Sequence, residues 1–264
     1  MDIEKKSTID KRAERRKVAQ REREWHEHEL EIRGDDLNFL YDPPAFNQII
    51  QRSIDFLGGE PGDKILDMAS GEGKETLMLA QNGYAVISLD ISFSQLQKSR
   101  ERVDRQNPNL DVMFVQANAE ELPFKNGSLE RLYGKAIIHH LDLDIAYEEV
   151  SRVLSDGGRM VFTEPMAHHP LFWIVRKLTA RLRTEDERPL HYDEFVLFAN
   201  KFGESEMVEA FLFAPLLAAV RKLPGGEKIY RRLIPAVHRF DQGLMRVLPF
   251  LKRLAWYDTV FAKN

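Results

Sequence analysis

From Lys64 to Thr163, short apolar runs alternate with amphipathic stretches. The period switches between two and about 3.6 residues, which separates strands from helices. Strands are predicted at Lys64–Met68, Ala85–Asp90, Val112–Gln116, Arg131–Ile138 and Arg159–Thr163. Helices are predicted at Lys74–Gln81, Ser92–Gln106 and Leu143–Leu154. Such alternation implies right-handed crossovers and a mostly parallel sheet covered on both faces. Upstream, Asp42-Pro43-Pro44 breaks the chain, and Ala45–Leu57 places Phe46, Ile49, Ile50, Ile54 and Leu57 on one helical face.

Beyond Glu164 the pattern is less regular. His168–Leu182 and Tyr192–Phe202 read as helices around a charged loop, Arg183–Pro189. Glu206–Phe213 and Ala255–Phe261 read as strands. Ala214–Leu251 reads as a helical stretch broken at Pro224-Gly225-Gly226 and at Pro235. Residues 1–36 are densely charged with mixed signs, the pattern of a solvated helix or a partly disordered arm. Arg12, Arg15, Arg16 and Lys17 would suit a nucleic-acid arm, but Glu14, Glu22 and Glu24 interrupt them, which favours a solvated face.

A chain of 264 residues with net charge −4 has no global attraction to nucleic acid or anionic lipid. The absence of cysteine removes disulfides, thiol nucleophiles and thiolate metal sites. Asp2, Glu4, Lys5 and Lys6 leave no apolar leader core, and no run is apolar enough to span a bilayer, so a cytoplasmic location is expected.

Candidate chemistry concentrates where the first strand meets its helix. Asp67-Met68-Ala69-Ser70-Gly71-Glu72-Gly73 is a small-residue turn whose backbone N–H groups can approach a ligand closely. Its glycine spacing fits neither the dinucleotide fingerprint nor a phosphate loop, and Asp67 would repel a pyrophosphate. Asp90 ends the second strand, where a carboxylate can accept from both hydroxyls of a ribose. Gln116–Phe124 follows the third strand, and the helix ending at Leu154 is followed by the turn Ser155–Gly158.

In order and spacing, these four elements resemble class I S-adenosylmethionine-dependent methyltransferases of the small-molecule type, over about Leu57–Glu164. The resemblance implies an α/β fold: a doubly wound, Rossmann-like, seven-stranded mixed sheet whose last strand is antiparallel, with helical cap insertions at about 165–205 and 214–251 of a domain spanning 37–264. It implies S-adenosyl-L-methionine as cofactor. Asp67, Ala69, Ser70, Gly71 and Gly73 would form the turn at the methionine moiety, with Lys135 nearby. Asp90 would bind the ribose, Ile91 the adenine face, and Asn118 and Ala119 the adenine edge. Asn118 stands where the family usually has Asp, and its side-chain oxygen can still accept from the adenine amino group.

Methyl transfer requires the protein to orient an acceptor and remove its proton. Candidates at the strand ends are His139, His140 and Glu164. His140 is expected to cap the following helix, which leaves His139 as the better base. A metal site joining Glu164, His168 and His169 to either histidine has no recognised ligand spacing, and neighbouring histidines usually point apart, so no metal is assigned. The segment after Glu164 is rich in large apolar residues (Phe172, Trp173, Phe195, Phe211) and in cations (Arg176, Lys177, Arg181, Arg183, Arg221, Lys222, Arg231, Arg232). This suits an apolar core with a solvated basic face, or a pocket for an amphipathic acceptor such as a lipid-linked or glycan precursor, with peripheral membrane contact.

The expected activity is methyl transfer to oxygen of a small or amphipathic molecule. The Asn/Asp-Pro-Pro-Tyr signature of many amino-directed nucleic-acid methyltransferases is absent after the fourth strand, and no nucleic-acid partner is expected. Two other readings stay open: a non-catalytic partner or regulatory subunit on the same fold, and an NAD(P)-dependent oxidoreductase.

Overall fold

The computed structural model describes residues 2–33, 43–178, 184 and 186–264. Asp42 of the predicted chain break, the end of the helix predicted to Leu182, and Arg181 and Arg183 lie outside the described residues.

Seven strands, β1 (Lys64–Met68), β2 (Ala85–Asp90), β3 (Val112–Gln116), β4 (Leu129–Lys135), β5 (Leu154–Pro165), β6 (Glu204–Ala210) and β7 (Tyr257–Lys263), form one sheet in the order β3-β2-β1-β4-β5-β7-β6. The first five pair in parallel. Strand β7 runs antiparallel to both β5 and β6. Successive side chains feed opposite faces. Leu66, Leu132, Phe162 and Val260 enter one core with Val150 and Val153 of α5 (Leu143–Val153) and Phe195 and Phe198 of α7 (Tyr192–Ala199). Their strand neighbours Ile65, Tyr133, Val161 and Phe261 enter the other core, with Leu57 of α2 (Pro43–Leu57) and Leu79 of α3 (Lys74–Gln81). Burial on both faces explains why these strands read as continuous apolar runs. Each fully buried large side chain contributes about 1.5–3 kcal/mol.

Three differences from the sequence reading have identifiable causes. The fourth strand was expected to reach Ile138 but stops at Lys135. Ala136 adopts φ 55°, and the Glu164 carboxylate captures the N–H groups of Ile137 and Ile138, which turns Ile138–His140 into a single 3₁₀ turn. Pro235 does not break its helix. After α8 (Ala214–Ala218), α9 runs from Gly226 to Val247 through it. Pro235 is exposed, so the bond it cannot make to the Arg231 carbonyl is lost where water can replace it.

The third difference is at the N-terminus. Asp2–Arg33 is one helix, α1. Its cations meet carboxylates of the α/β domain: Lys11 with Asp142, Arg12 with Glu148, Arg15 with Glu120, and Arg16 with Glu121. Among the described residues, no helix is long and apolar enough to cross a membrane.

Candidate active site

The strand order reverses between β1 and β4, and in open sheets of this kind ligands sit at the C-terminal strand ends beside that point. A cavity of about 350 Å³ lies there. Its floor is the turn after β1. Ala69 and Gly71 adopt φ 60° and 50°, the left-handed region, so the chain reverses sharply and turns backbone toward the cavity. A Cβ on Gly71 would meet nothing within 4 Å, which leaves open space for a ligand above it. Gly73 sits behind the turn, outside the cavity lining. A Cβ there would lie 2.1 Å from Ser99 Oγ and 2.8 Å from Ser99 Cα, so this glycine serves close packing against α4 (Phe93–Gln106).

Asp67 is buried beneath the turn and accepts from the Thr76 hydroxyl. Burial raises its pKa from the ordinary 3.8 to about 7; the Thr76 bond opposes the rise and the charges of Glu75 and Asp90 add to it. It therefore shapes the turn from below and does not line the cavity. Asp90 does line it. Its Oδ2 accepts from Gly71 N at 2.8 Å and its Oδ1 from Ser92 N at 2.9 Å. These bonds fix the carboxylate at the edge of the cavity.

Ile91, Asn118 and Ala119 form the next wall. Asn118 Oδ1 accepts from Glu120 N at 3.0 Å, an Asx turn that holds the side chain in place and uses one of its oxygen's two lone pairs. Lys135 also reaches the cavity, where its Nζ pairs with Glu75 at 2.7 Å. Burial raises the Glu75 pKa, and Lys135 more than offsets this, leaving it lowered.

His139 and His140 line the opposite side. The 3₁₀ turn brings their rings to 4.3 Å between centroids at 41°, contrary to the expectation that they point apart. Glu164 is fully buried and does not face an acceptor. Its Oε1 holds the N–H groups of Ile137 and Ile138, and its Oε2 lies 2.7 Å from His139 Nδ1. A carboxylate at this distance favours the tautomer in which Nδ1–H donates to Glu164 and Nε2 carries the lone pair. Glu164 is thus a positioning residue. His140 is not the helix cap: Asp142 caps α5, accepting from Asp144 N and Ile145 N. Burial, reinforced by His139, lowers the His140 pKa against the opposing bond to Glu22, 3.1 Å from Nδ1.

The metal arrangement weighed from sequence does not assemble. His168 contacts His191, and His169 is bonded to the Leu212 carbonyl and the Leu171 N–H. Among the described residues, two other groups have donors within 4.8 Å of one another: Glu22, His26 and His140, and His139, His140 and Glu187. Arg176 already neutralises Glu187 at 2.6 Å.

Sequence reasoning missed the lid. Arg15, Ala19, Glu22, Trp25 and His26 of α1 line the cavity. Arg15 grips both oxygens of Glu120 and the His140 carbonyl. Glu27 accepts from Phe93 N and Ser94 N at the start of α4. The signal was present as Ala19, Glu22 and His26, which are spaced to share one face, but the surrounding charge concealed it.

A turn with open backbone, a doubly anchored carboxylate at the next strand end and a cavity of about 350 Å³ suit a nucleoside ligand. The residues fit S-adenosylmethionine: Asp90 for the ribose, Ile91 and Ala119 for the adenine, and the Ala69–Gly71 turn for the methionine moiety.

A methyltransferase-domain family model matches residues 66–162. The chain is 36% identical over 177 residues to the ubiquinone/menaquinone biosynthesis C-methyltransferase UbiE of Rhizobium etli, covering 64% of this chain and 61% of that one. It is 32% identical over 143 residues to a sarcosine/dimethylglycine N-methyltransferase of Aphanothece halophytica, covering 50% and 52%. The chain therefore spans between half and two thirds of the length of these curated relatives. The structure of geranyl diphosphate C-methyltransferase from Streptomyces coelicolor A3(2), in complex with magnesium, geranyl diphosphate and S-adenosylhomocysteine, superposes with a TM-score of 0.57 at 17% identity. The match covers 83% of this chain and 78% of that one, and at this identity the likeness is one of fold. Over residues 66–162 the chain therefore matches a methyltransferase domain, and S-adenosylmethionine is the cofactor that the residues of the cavity fit.

Proposed function

We propose that this protein transfers a methyl group from S-adenosylmethionine to an oxygen of a small or amphipathic acceptor, such as a lipid-linked or glycan precursor. The observation that carries the reading is His139, held by the buried Glu164 at 2.7 Å, on the cavity that Asp90 and the Ala69–Gly71 turn also line. When bound, the cofactor supplies an electrophilic methyl group on a sulfonium. Asp90 anchors the donor, and Ala69, Ser70 and Gly71 present backbone to it. His139 Nε2 takes the proton of the acceptor hydroxyl, while Glu164 holds the ring and stabilises the charge that develops. Helix α1, part of the 1–36 arm, covers the cavity and limits water. The insertions at about 165–205 and 214–251 form the acceptor cap. An amphipathic acceptor resides at a membrane surface, so a cytoplasmic enzyme making peripheral membrane contact through its cap belongs to this reading.

Transfer to carbon is a second reading, favoured by the identity to UbiE. The two separate when labelled cofactor is incubated with fractionated small-molecule and lipid extracts and the labelled product is identified by NMR. A methoxyl product supports oxygen, and a C-methyl product replaces it with carbon. Cofactor binding without any labelled product favours a non-catalytic subunit.

A further inference from the structure

Helix α9 is apolar on two faces. Its inner face, with Tyr230, Ile234 and Val237, is seated against Phe46 of α2 and against Trp256 and Tyr257. Its outer face carries Ile229, Leu233, Phe240 and Val247 in one stripe, since spacings of four, seven and seven residues return to the same side of a helix. All four are exposed, Phe240 by 59% and Val247 by 75%. Phe213, itself exposed, extends the stripe, its ring 6.2 Å from that of Phe240.

A row of cations, Lys228, Arg232, Arg239 and Arg246, runs parallel to the stripe and is exposed throughout. Among the described residues no carboxylate pairs with any of them; the nearby Glu227 is taken by Arg221 and Arg231. Between Ala214 and Arg253 nine Lys and Arg residues stand against Glu227 and Asp241, in a chain whose net charge is −4. The positive charge is thus concentrated beside the exposed apolar stripe.

We propose that the outer face of α9 docks in the plane of an anionic lipid surface, with the stripe among the acyl chains and the cation row on the headgroups. This deepens, and rests on, the reading of an amphipathic acceptor. Charge decides the occupant. A second copy on this face would oppose two cation rows, whereas anionic headgroups neutralise one. The cavity-lining Tyr257 packs in the same cluster as the inner face of α9, so docking would set the cap beside the acceptor's own phase.

Sedimentation of the full chain with vesicles tests this. Phosphatidylcholine vesicles with and without phosphatidylglycerol are compared, at low and high salt. Wild type is expected to bind the anionic vesicles, and to release from them at high salt. Phe240→Glu/Val247→Glu and Arg239→Glu/Arg246→Glu should each weaken that binding by about tenfold or more. Both variants should bind S-adenosylhomocysteine as wild type does, which shows that they are folded. Equal vesicle binding by wild type and both variants, or none by wild type, overturns the proposal. So does a concentration-dependent dimer that the Glu variants abolish, because it assigns the face to a second copy. Vesicle binding without S-adenosylhomocysteine binding would instead sink the methyltransferase reading and leave the docking face standing.

Discussion

Asp90→Asn is the most informative single change in the cofactor half of the site. The carboxylate accepts from Gly71 N–H and Ser92 N–H, and with the cofactor bound as proposed it would also accept from two ribose hydroxyls. An amide keeps one acceptor oxygen and turns an NH₂ group on the remaining pair. One backbone N–H and one ribose hydroxyl then lose their acceptor. A hydrogen bond to a charged group contributes about 1.5–3 kcal/mol. At 1.4 kcal/mol per factor of ten, the dissociation constant for S-adenosylhomocysteine should rise about 10- to 150-fold. Calorimetric titration measures this, and circular dichroism confirms that the variant is folded. A 2′-deoxyribose analogue completes a double-mutant cycle: it should bind weakly to wild type and show little further loss with Asp90→Asn. A rise below about threefold, the scale of one neutral hydrogen bond, would refute the assignment. So would an unchanged response to the deoxy analogue.

Four further outcomes are expected. Glu164→Gln should lower kcat about a hundredfold with S-adenosylhomocysteine affinity unchanged, and Glu164→Asp should recover part of it; equal losses in kcat and cofactor binding would mean that Glu164 only holds the fold. Arg15→Ala strips Glu120 of its cationic partner, leaving it the Asp142 N–H, and releases the His140 carbonyl, so urea titration should register a loss of about 2 kcal/mol, and amide exchange should quicken in α1. Gly73→Ala forces φ 74° on a residue with a Cβ and drives it into Ser99, which should cost about 3 kcal/mol by the same titration. The folded Asp67 titrates at about 7 and its unfolded counterpart near 3.8; between these the folded chain holds the extra proton, so stability falls as pH rises through that window and levels above it. Asp67→Asn should therefore gain stability relative to wild type at pH 8 over pH 5, and an equal difference at both would contradict the raised pKa.

Sequence made the α/β half legible because its strands are buried on both faces. Ile65 and Leu66, or Val161 and Phe162, must both be apolar, so each strand stands out as a run. Asp90 and Asn118 were readable in place, because each stands at or just past the end of a strand on the cavity. Glu164 was readable in place, but its bonds to Ile137, Ile138 and His139 were not. Whether a carboxylate faces a ligand or a backbone depends on a chain reversal such as the one at Ala136, φ 55°, and no periodicity encodes that. The histidine pair was misjudged for the same reason, since a 3₁₀ turn sets its rings side by side. The lid was hidden because α1 is held chiefly by ion pairs to Asp142, Glu148 and Glu120, far along the chain. Local pattern shows only a charged helix. Pro235 was over-read because the packed inner face of α9 outweighs one hydrogen bond missing where water can replace it.

The central claim, that one cavity joins a ribose-binding Asp90 to a base at His139, is tested most directly by the crystal structure of the chain with S-adenosylhomocysteine. The account predicts both ribose hydroxyls at hydrogen-bond distance, about 2.7 Å, from the Asp90 carboxylate, with the sulfur on the His139 side and α1 closed over it. A ligand bound outside this cavity, or bound here with its ribose away from Asp90, would contradict it.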